Sequence, residues 1–249
     1  MATVTTRVAE RPRDYVAVRG PDAEDFLQRM VSNDVTAAPC RALLLTPKAK
    51  VIAPLVVVRR GDDDFLLLTE RGLGESVRTT LLRARFAAKV QIEPEEHRSL
   101  VVFGDAEGIP TRDYGEPAVE VLDGDAEPTV ADDELERLRI EAGTPRFGAE
   151  IDDRILPAEA GLDETHVSFT KGCYPGQEPI VRLRHRGHVN RRLRVLDVDD
   201  AQPGDEILHG DKVVGRVTSS VPGVALGYVR VEVPADAELR IGGRSARLH

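Results

Sequence analysis

Cys173 is the most reactive side chain of a stretch, residues 168–186, that reads Ser-Phe-Thr-Lys-Gly-Cys-Tyr-Pro-Gly-Gln-Glu-Pro-Ile-Val-Arg-Leu-Arg-His-Arg. Gly172 and the Pro175-Gly176 pair set a tight turn, so the thiol is expected on a loop and not in a strand. Glu178-Pro179 then opens a helix, with Pro in the first turn. A thiol ahead of a helix N-terminus and near Lys171 meets positive potential from both, which favours nucleophilic, ligating or redox chemistry. Taken alone, a small packed cysteine in a Gly-rich turn fits the same residues.

Two further features place charge where folding does not call for it. Glu141 lies in Leu138-Arg139-Ile140-Glu141-Ala142-Gly143, near the end of a helix that Asp132 is expected to cap and Gly143 to stop. The macrodipole disfavours an anion in a last turn, so helix stability does not account for Glu141. The other feature is basic: Arg182, Arg184, Arg186, Arg191, Arg192 and Arg194, joined by His185 and His188. That run reads either as a solvated face or as an anion patch for ligand carboxylates or nucleic-acid phosphates. Aromatic residues to stack bases are missing from it, so single-strand nucleic-acid binding is the weaker choice. His185 and His188 lack a third ligand nearby, and no metal site is assigned. GxGxxG after a strand, the P-loop, HExxH and GxSxG are all absent.

The elements that must position these residues follow from periodicity and turn chemistry. A strand over 15–18 leads to a helix opened by Gly20-Pro21-Asp22, with Phe26, Leu27, Met30 and Val31 on one face. Strands over 42–46, 51–59 and 65–69, a helix over 72–85 and a strand over 90–92 complete a β-α-β-β-β-α-β unit, a split βαβ with an added hairpin strand. Pro54 makes its strand an edge or a bulge at that point. A strand over 99–104 follows, and the Gly/Asp/Glu/Pro-rich joint beyond it holds one more strand, over 118–122. From residue 190 onward, short β-rich runs at 193–198, 212–218, 225–231, 237–241 and 245–248 alternate with Gly or Pro turns, as in a small barrel or sandwich. The expected fold class is α+β. A larger domain spans 1–188, made of two α+β subdomains joined near 95–130, and a small C-terminal β-barrel spans 189–249.

A chain of 249 residues, 41% hydrophobic and 31% charged, suits a soluble globular protein with a sizeable core. Aromatics make up only 4% and Trp is absent, so Leu, Val, Ile and Ala must fill that core. A net charge of −9 argues against a surface that grips nucleic acid throughout. Two cysteines, Cys40 and Cys173, make neither a disulfide framework nor a zinc site, and free thiols suit a reducing cytoplasm. The first twelve residues are polar, with no apolar core for a signal peptide, and no run is long enough to span a membrane. A cytoplasmic location is expected.

The run over 171–178, Lys-Gly-Cys-Tyr-Pro-Gly-Gln-Glu, resembles the signature of the YgfZ family of folate-binding proteins at every fixed position. That family is related to the glycine-cleavage T-protein, an aminomethyltransferase. The resemblance extends over nearly the whole chain, through Ser32-Asn33-Asp34-Val35, Leu44-Leu45-Thr46-Pro47-Lys48, residues 138–143, Leu156-Pro157, and Gly215 to Ser219. It implies a three-lobed T-protein-like fold with tetrahydrofolate in a central opening. Glu141 would grip the pterin, Tyr15 would line the pterin site, and Gly172, Tyr174, Gln177, Glu178 and Arg182 would complete the surroundings of the ligand and of the reactive pair Cys173 and Lys171. One departure bears on activity. The T-protein carries an acidic pair at the third strand that assists aminomethyl transfer, and this chain has Ala53-Pro54 there.

The function that the resemblance implies is tetrahydrofolate binding in support of iron–sulfur cluster assembly or repair in client enzymes, with Cys173 as the working group. A cluster normally takes four thiolates, so Cys173 would share any cluster with a partner protein. Two alternatives stay open: a folate-dependent one-carbon transferase, which Ala53-Pro54 disfavours, and an RNA-binding or tRNA-modification factor resting on Arg182 to Arg194.

Overall fold

The structure is a computed structural model and describes residues 6–104 and 106–249; the first residues of the polar N-terminal run and residue 105 of the joint lie outside it. The described chain opens with β1 (Arg7–Glu10) and β2 (Arg13–Arg19), followed by α1 (Ala23–Met30), β3 (Cys40–Leu45), β4 (Val51–Gly61), β5 (Asp64–Glu70), α2 (Gly74–Ala84) and β6 (Gln91–Glu95). Five of these strands form an antiparallel sheet in the order β3-β4-β5-β2-β6. Alternate positions of β2, β4 and β5, including Val16, Val18, Leu55, Val57, Phe65 and Leu67, point to one face and meet Phe26 and Leu27 of α1 and Val77 and Leu81 of α2. Both helices therefore cover that face. Intervening residues Tyr15, Ala17, Leu66 and Leu68 point to the other.

Pro54 sits inside β4, which has neighbours on both sides, yet the expected edge character holds locally. Pairing of β4 with β5 begins only at Leu55, so the missing N–H at Pro54 faces no acceptor in β5. On the other side the ladder with β3 shifts register, with Leu44 opposite Ala53 and Leu45 opposite Val51, which leaves Ile52 as an extra residue.

The next elements are β7 (Ser99–Phe103), β8 (Ile109–Thr111), β9 (Ala118–Leu122) and α3 (Asp132–Glu141). The three strands join β1 in a second sheet of order β1-β7-β9-β8. Two of its strands depart from the sequence reading. β1 hides in a polar run whose two apolar residues, Val8 and Ala9, are both buried. β8 is obscured by Pro110, which an edge strand tolerates because its free side needs no donor. Ile109 and Leu122 of this sheet pack on Tyr15 and its neighbours, so the two sheets share an apolar layer. Asp132 is the first residue of α3 and not its cap; Ala131 holds the cap position, and Asp132, Asp133 and Glu134 occupy the positive first turn.

The last part comprises α4 (Gln177–Arg186) and β10 (Arg191–Val198), β11 (Glu206–His209), β12 (Lys212–Val221), β13 (Gly223–Arg230), β14 (Leu239–Ile241) and β15 (Arg244–Leu248). The six strands close into a barrel in the order β10-β13-β12-β11-β14-β15, so closure decides between barrel and sandwich. β11 is too short for its alternation to show in sequence. Among the described residues, no helix is long and apolar enough to cross a membrane.

Candidate functional site

A cavity of about 840 Å³ opens where the two sheets, residues 143–166 and the start of β10 converge. Its wall is built from buried ion pairs. Arg11 meets Asp113 at 2.8 Å and Glu120 at 3.5 Å, Arg13 grips Glu120 through two nitrogens, and Arg41 meets Asp113 at 2.5 Å. Burial alone would raise the Asp113 carboxyl, but Arg11 and Arg41 hold it well below the usual carboxylate range. Ser99 Oγ also donates to Glu120, at 2.5 Å. Charges so compensated give a rigid wall with little left to offer a ligand.

Four cavity residues are not used up in this way. Glu70, at the end of β5, accepts from the Phe147 N–H at 3.0 Å. Burial raises its carboxyl, opposed by that hydrogen bond and by Arg11, Arg13 and Arg146. His166 is only 7% exposed and bonds Thr165 Oγ1 through Nδ1 at 2.8 Å; burial, aided by the charge on Arg41, pushes its imidazole down to about 4. It is therefore neutral at physiological pH. Arg112 and Arg192 also line the cavity, are exposed, and among the described residues meet no carboxylate. Pro54, Leu55, Ile151 and Leu162 supply apolar wall. None of Glu70, His166 and Arg112 belongs to a motif, so sequence reading passes over them.

The residues singled out by sequence divide among separate places, and of them Pro54, Gly143 and Arg192 line this cavity. Glu141 lies on the outside, 3.5 Å from Arg137 and beside Val195, Asp197 and His249 in a groove between α3 and the barrel. The rest of its motif joins α3 to the barrel. Arg139 is buried and bonds Glu136, Glu150 and the Thr144 carbonyl, while Ile140 packs on Val224 and Leu226. Gly143, at φ +69°, ends the helix by accepting the left-handed conformation. Tyr15 is 3% exposed in the layer between the sheets, edge-on to His97 with ring centroids 5.1 Å apart.

Cys173 is exposed, on the loop that precedes α4, as its turn residues predict. The loop is held by its neighbours. Lys171 Nζ donates to the carbonyls of Val31 at 2.9 Å and Asn33 at 2.6 Å, just past α1. Burial pushes this amine down to about 8, against the attraction of Asp34 and Cys40. Tyr174 is buried with Leu43, Leu45 and Val51. Gly172 is exposed and uncrowded, whereas Gly176 has φ +85° and a Cβ there would stand 2.8 Å from the Thr46 carbonyl oxygen. Gly176→Ala is expected to cost at least about 1–2 kcal/mol from the left-handed backbone alone. Thermal unfolding would read this as a Tm drop of about 2–8 °C; an unchanged Tm would show that the loop is not seated on the β3–β4 turn.

Gln177 opens α4 and Glu178 sits in its first turn, while Arg184, His185 and Arg186 fill its last turn, where the macrodipole favours cations. Arg182 is exposed. Arg184 stacks on Phe169 at 3.8 Å and Arg191 pairs with Glu159 at 2.9 Å, so these two members of the basic run already have partners. Among the described residues, no group of three or more His, Cys, Asp or Glu side chains is placed to hold a metal ion.

The architecture is that of the aminomethyltransferase fold. A glycine-cleavage aminomethyltransferase T structure from Bartonella henselae superposes with a TM-score of 0.81 over 98% of this chain and 85% of that one, at 20% identity. Residues 190–249 match the CAF17 C-terminal beta-barrel domain. The tRNA-modifying protein YgfZ of Escherichia coli is 27% identical over 226 residues, 72% of this chain and 68% of that one. A mitochondrial iron–sulfur cluster assembly factor IBA57 homolog of Neurospora crassa is 26% identical over 228 residues, 73% of this chain and 51% of that one. The chain thus has the aminomethyltransferase fold, carries a CAF17-type C-terminal barrel, and is similar in sequence to YgfZ-type and IBA57-type relatives of the T-protein.

Proposed function

We propose that this protein binds a reduced folate in its central cavity and supports iron–sulfur cluster assembly or repair in client proteins through Cys173. The observation that carries this reading is the separation of the two features. The cavity does not include the thiol, and the thiol is exposed on an anchored loop. A cysteine that attacked the bound ligand would have to face it; one that serves a partner protein must face outward. A lone thiol cannot hold a cluster, so any cluster contact is shared with that partner. The relative named as a cluster assembly factor supports the same reading.

The cavity suits a folate in chemistry as well as volume. Glu70, half-buried at the end of β5, offers its carboxyl to the N–H edge of a pterin, the task that family likeness gives to Glu141. The apolar wall at Pro54, Leu55 and Leu162 covers the ring. Arg112 and Arg192 are available to the carboxylates of the glutamate tail. Calorimetry with tetrahydrofolate tests the assignment. Glu70→Ala is expected to weaken binding by about 1.5–3 kcal/mol, the range for a hydrogen bond to a charged group, and Glu141→Ala to leave it unchanged. The reverse pattern would return the pterin to Glu141, and no binding by the unaltered protein would refute the folate reading.

A further inference from the structure

Residues 166–171 run from the cavity wall to the Cys173 loop, and their anchors lie on one turn of the first lobe. The His166 carbonyl accepts from Ser32 Oγ at 2.6 Å, and that same hydroxyl oxygen accepts from Leu43 N at 2.7 Å. Ser168 N donates to the Ser32 carbonyl at 2.9 Å. Lys171 holds the carbonyls on either side, those of Val31 and Asn33. Ser32 itself is fully buried. At the cavity end, Nδ1 of His166 is engaged by Thr165, and among the described residues Nε2 has no hydrogen-bond partner. His166 lines the cavity, so its unpaired ring nitrogen lies at the cavity wall.

We propose that His166 contacts the ligand of the central cavity, and that the strap over 166–171 makes Cys173 sensitive to occupancy of that cavity. The proposal rests on the folate reading. A side chain more than nine-tenths buried that leaves a ring nitrogen unpaired at the wall of a cavity is suited to a hydrogen bond with whatever fills it. The neutral imidazole that burial enforces offers Nε2 as donor or acceptor, according to the tautomer. Folate carries both partners in its ring N–H groups and its carbonyls. Ligand and thiol do not meet in the cavity, so the covalent strap is the direct link between them. Its hydrogen bonds make that link stiff: Ser32 holds residues 166 and 168 at once, and Lys171 fixes the approach to Cys173. Ordering the cavity end therefore restrains the loop end.

The experiment is alkylation of Cys173 by iodoacetamide, followed at that residue by mass spectrometry, with and without saturating tetrahydrofolate. Bound ligand is expected to slow the reaction about fivefold or more, the low end of measured coupling between sites. In His166→Leu the ligand should bind about tenfold more weakly and, when saturating, lose the protection. Ser32→Ala should keep the affinity and lose the protection as well; should that variant fail to fold, Lys171→Met cuts the same strap at the other end. Equal rates with and without ligand, when calorimetry shows it bound, would overturn the proposal and leave the folate reading standing. Full protection in strap variants that still bind would also overturn it. Failure of the unaltered protein to bind folate would overturn both.

Discussion

Replacing Cys173 with alanine is expected to abolish the proposed support of iron–sulfur enzymes while leaving the fold and the proposed folate affinity intact. The thiol is exposed and lines no part of the cavity, so its removal falls among surface changes that stay within about ±0.5 kcal/mol. The loop keeps its shape through Tyr174, Gly176 and Lys171, whose contacts do not involve the sulfur. No second thiol can take over. Cys40 is partly buried in β3, and burial raises it to about 11, with Asp34 adding to the rise and Lys171 opposing it. Its thiolate is thus scarce at neutral pH. The measurement compares the activity of iron–sulfur enzymes in cells lacking the gene, in cells carrying it, and in cells carrying Cys173→Ala. Full rescue by the variant would remove the thiol from the function. A variant that fails to rescue but has also lost folate affinity would place Cys173 in the ligand's wall instead.

The sequence shows the Cys173 loop clearly because glycine and proline fix its turn locally, without help from the rest of the chain. The same rules find α1, α2 and the barrel strands with strong alternation. They fail where facing depends on distant partners. Leu135 and Leu138 of α3 pack on the second sheet and Ile140 on the barrel, so Glu141, about 100° further round the helix, turns outward. Only the docking of α3 between those two bodies decides this. Arg139, a charged residue, is buried beside Ile140, because Glu150, far enough along to be unreadable as a partner, receives it. Glu70 and His166 are single polar residues at the ends of unremarkable segments, and closure of the cavity around them is a tertiary event. Family likeness places the ligand's acid on Glu141, and we propose Glu70 for that task.

Turnover in aminomethyl transfer from glycine-derived intermediates is expected to be at background, even with folate bound. Family likeness places a carboxylate at the third strand for this reaction, and β4 presents Ala53, fully buried opposite Leu44, and Pro54 on the cavity wall. Neither side chain exchanges a proton. General acid–base help is worth about 10²–10⁴ in rate, so its loss alone removes useful activity. Other acids do not substitute. Asp113 and Glu120 are locked to Arg11, Arg13 and Arg41, and Glu159 to Arg191. Asp62 and Asp63 lie in the turn at the far end of β4, about 25 Å from Pro54 at roughly 3.3 Å per residue. Glu70 retains a raised proton affinity at the cavity wall, and it is the residue proposed for the pterin. The assay couples the protein to the other glycine-cleavage components with tetrahydrofolate, beside a T-protein control. Rates near the control would restore the transferase reading, and their collapse in Glu70→Gln would then name Glu70 as the base. Background rates with folate affinity intact are the expected result.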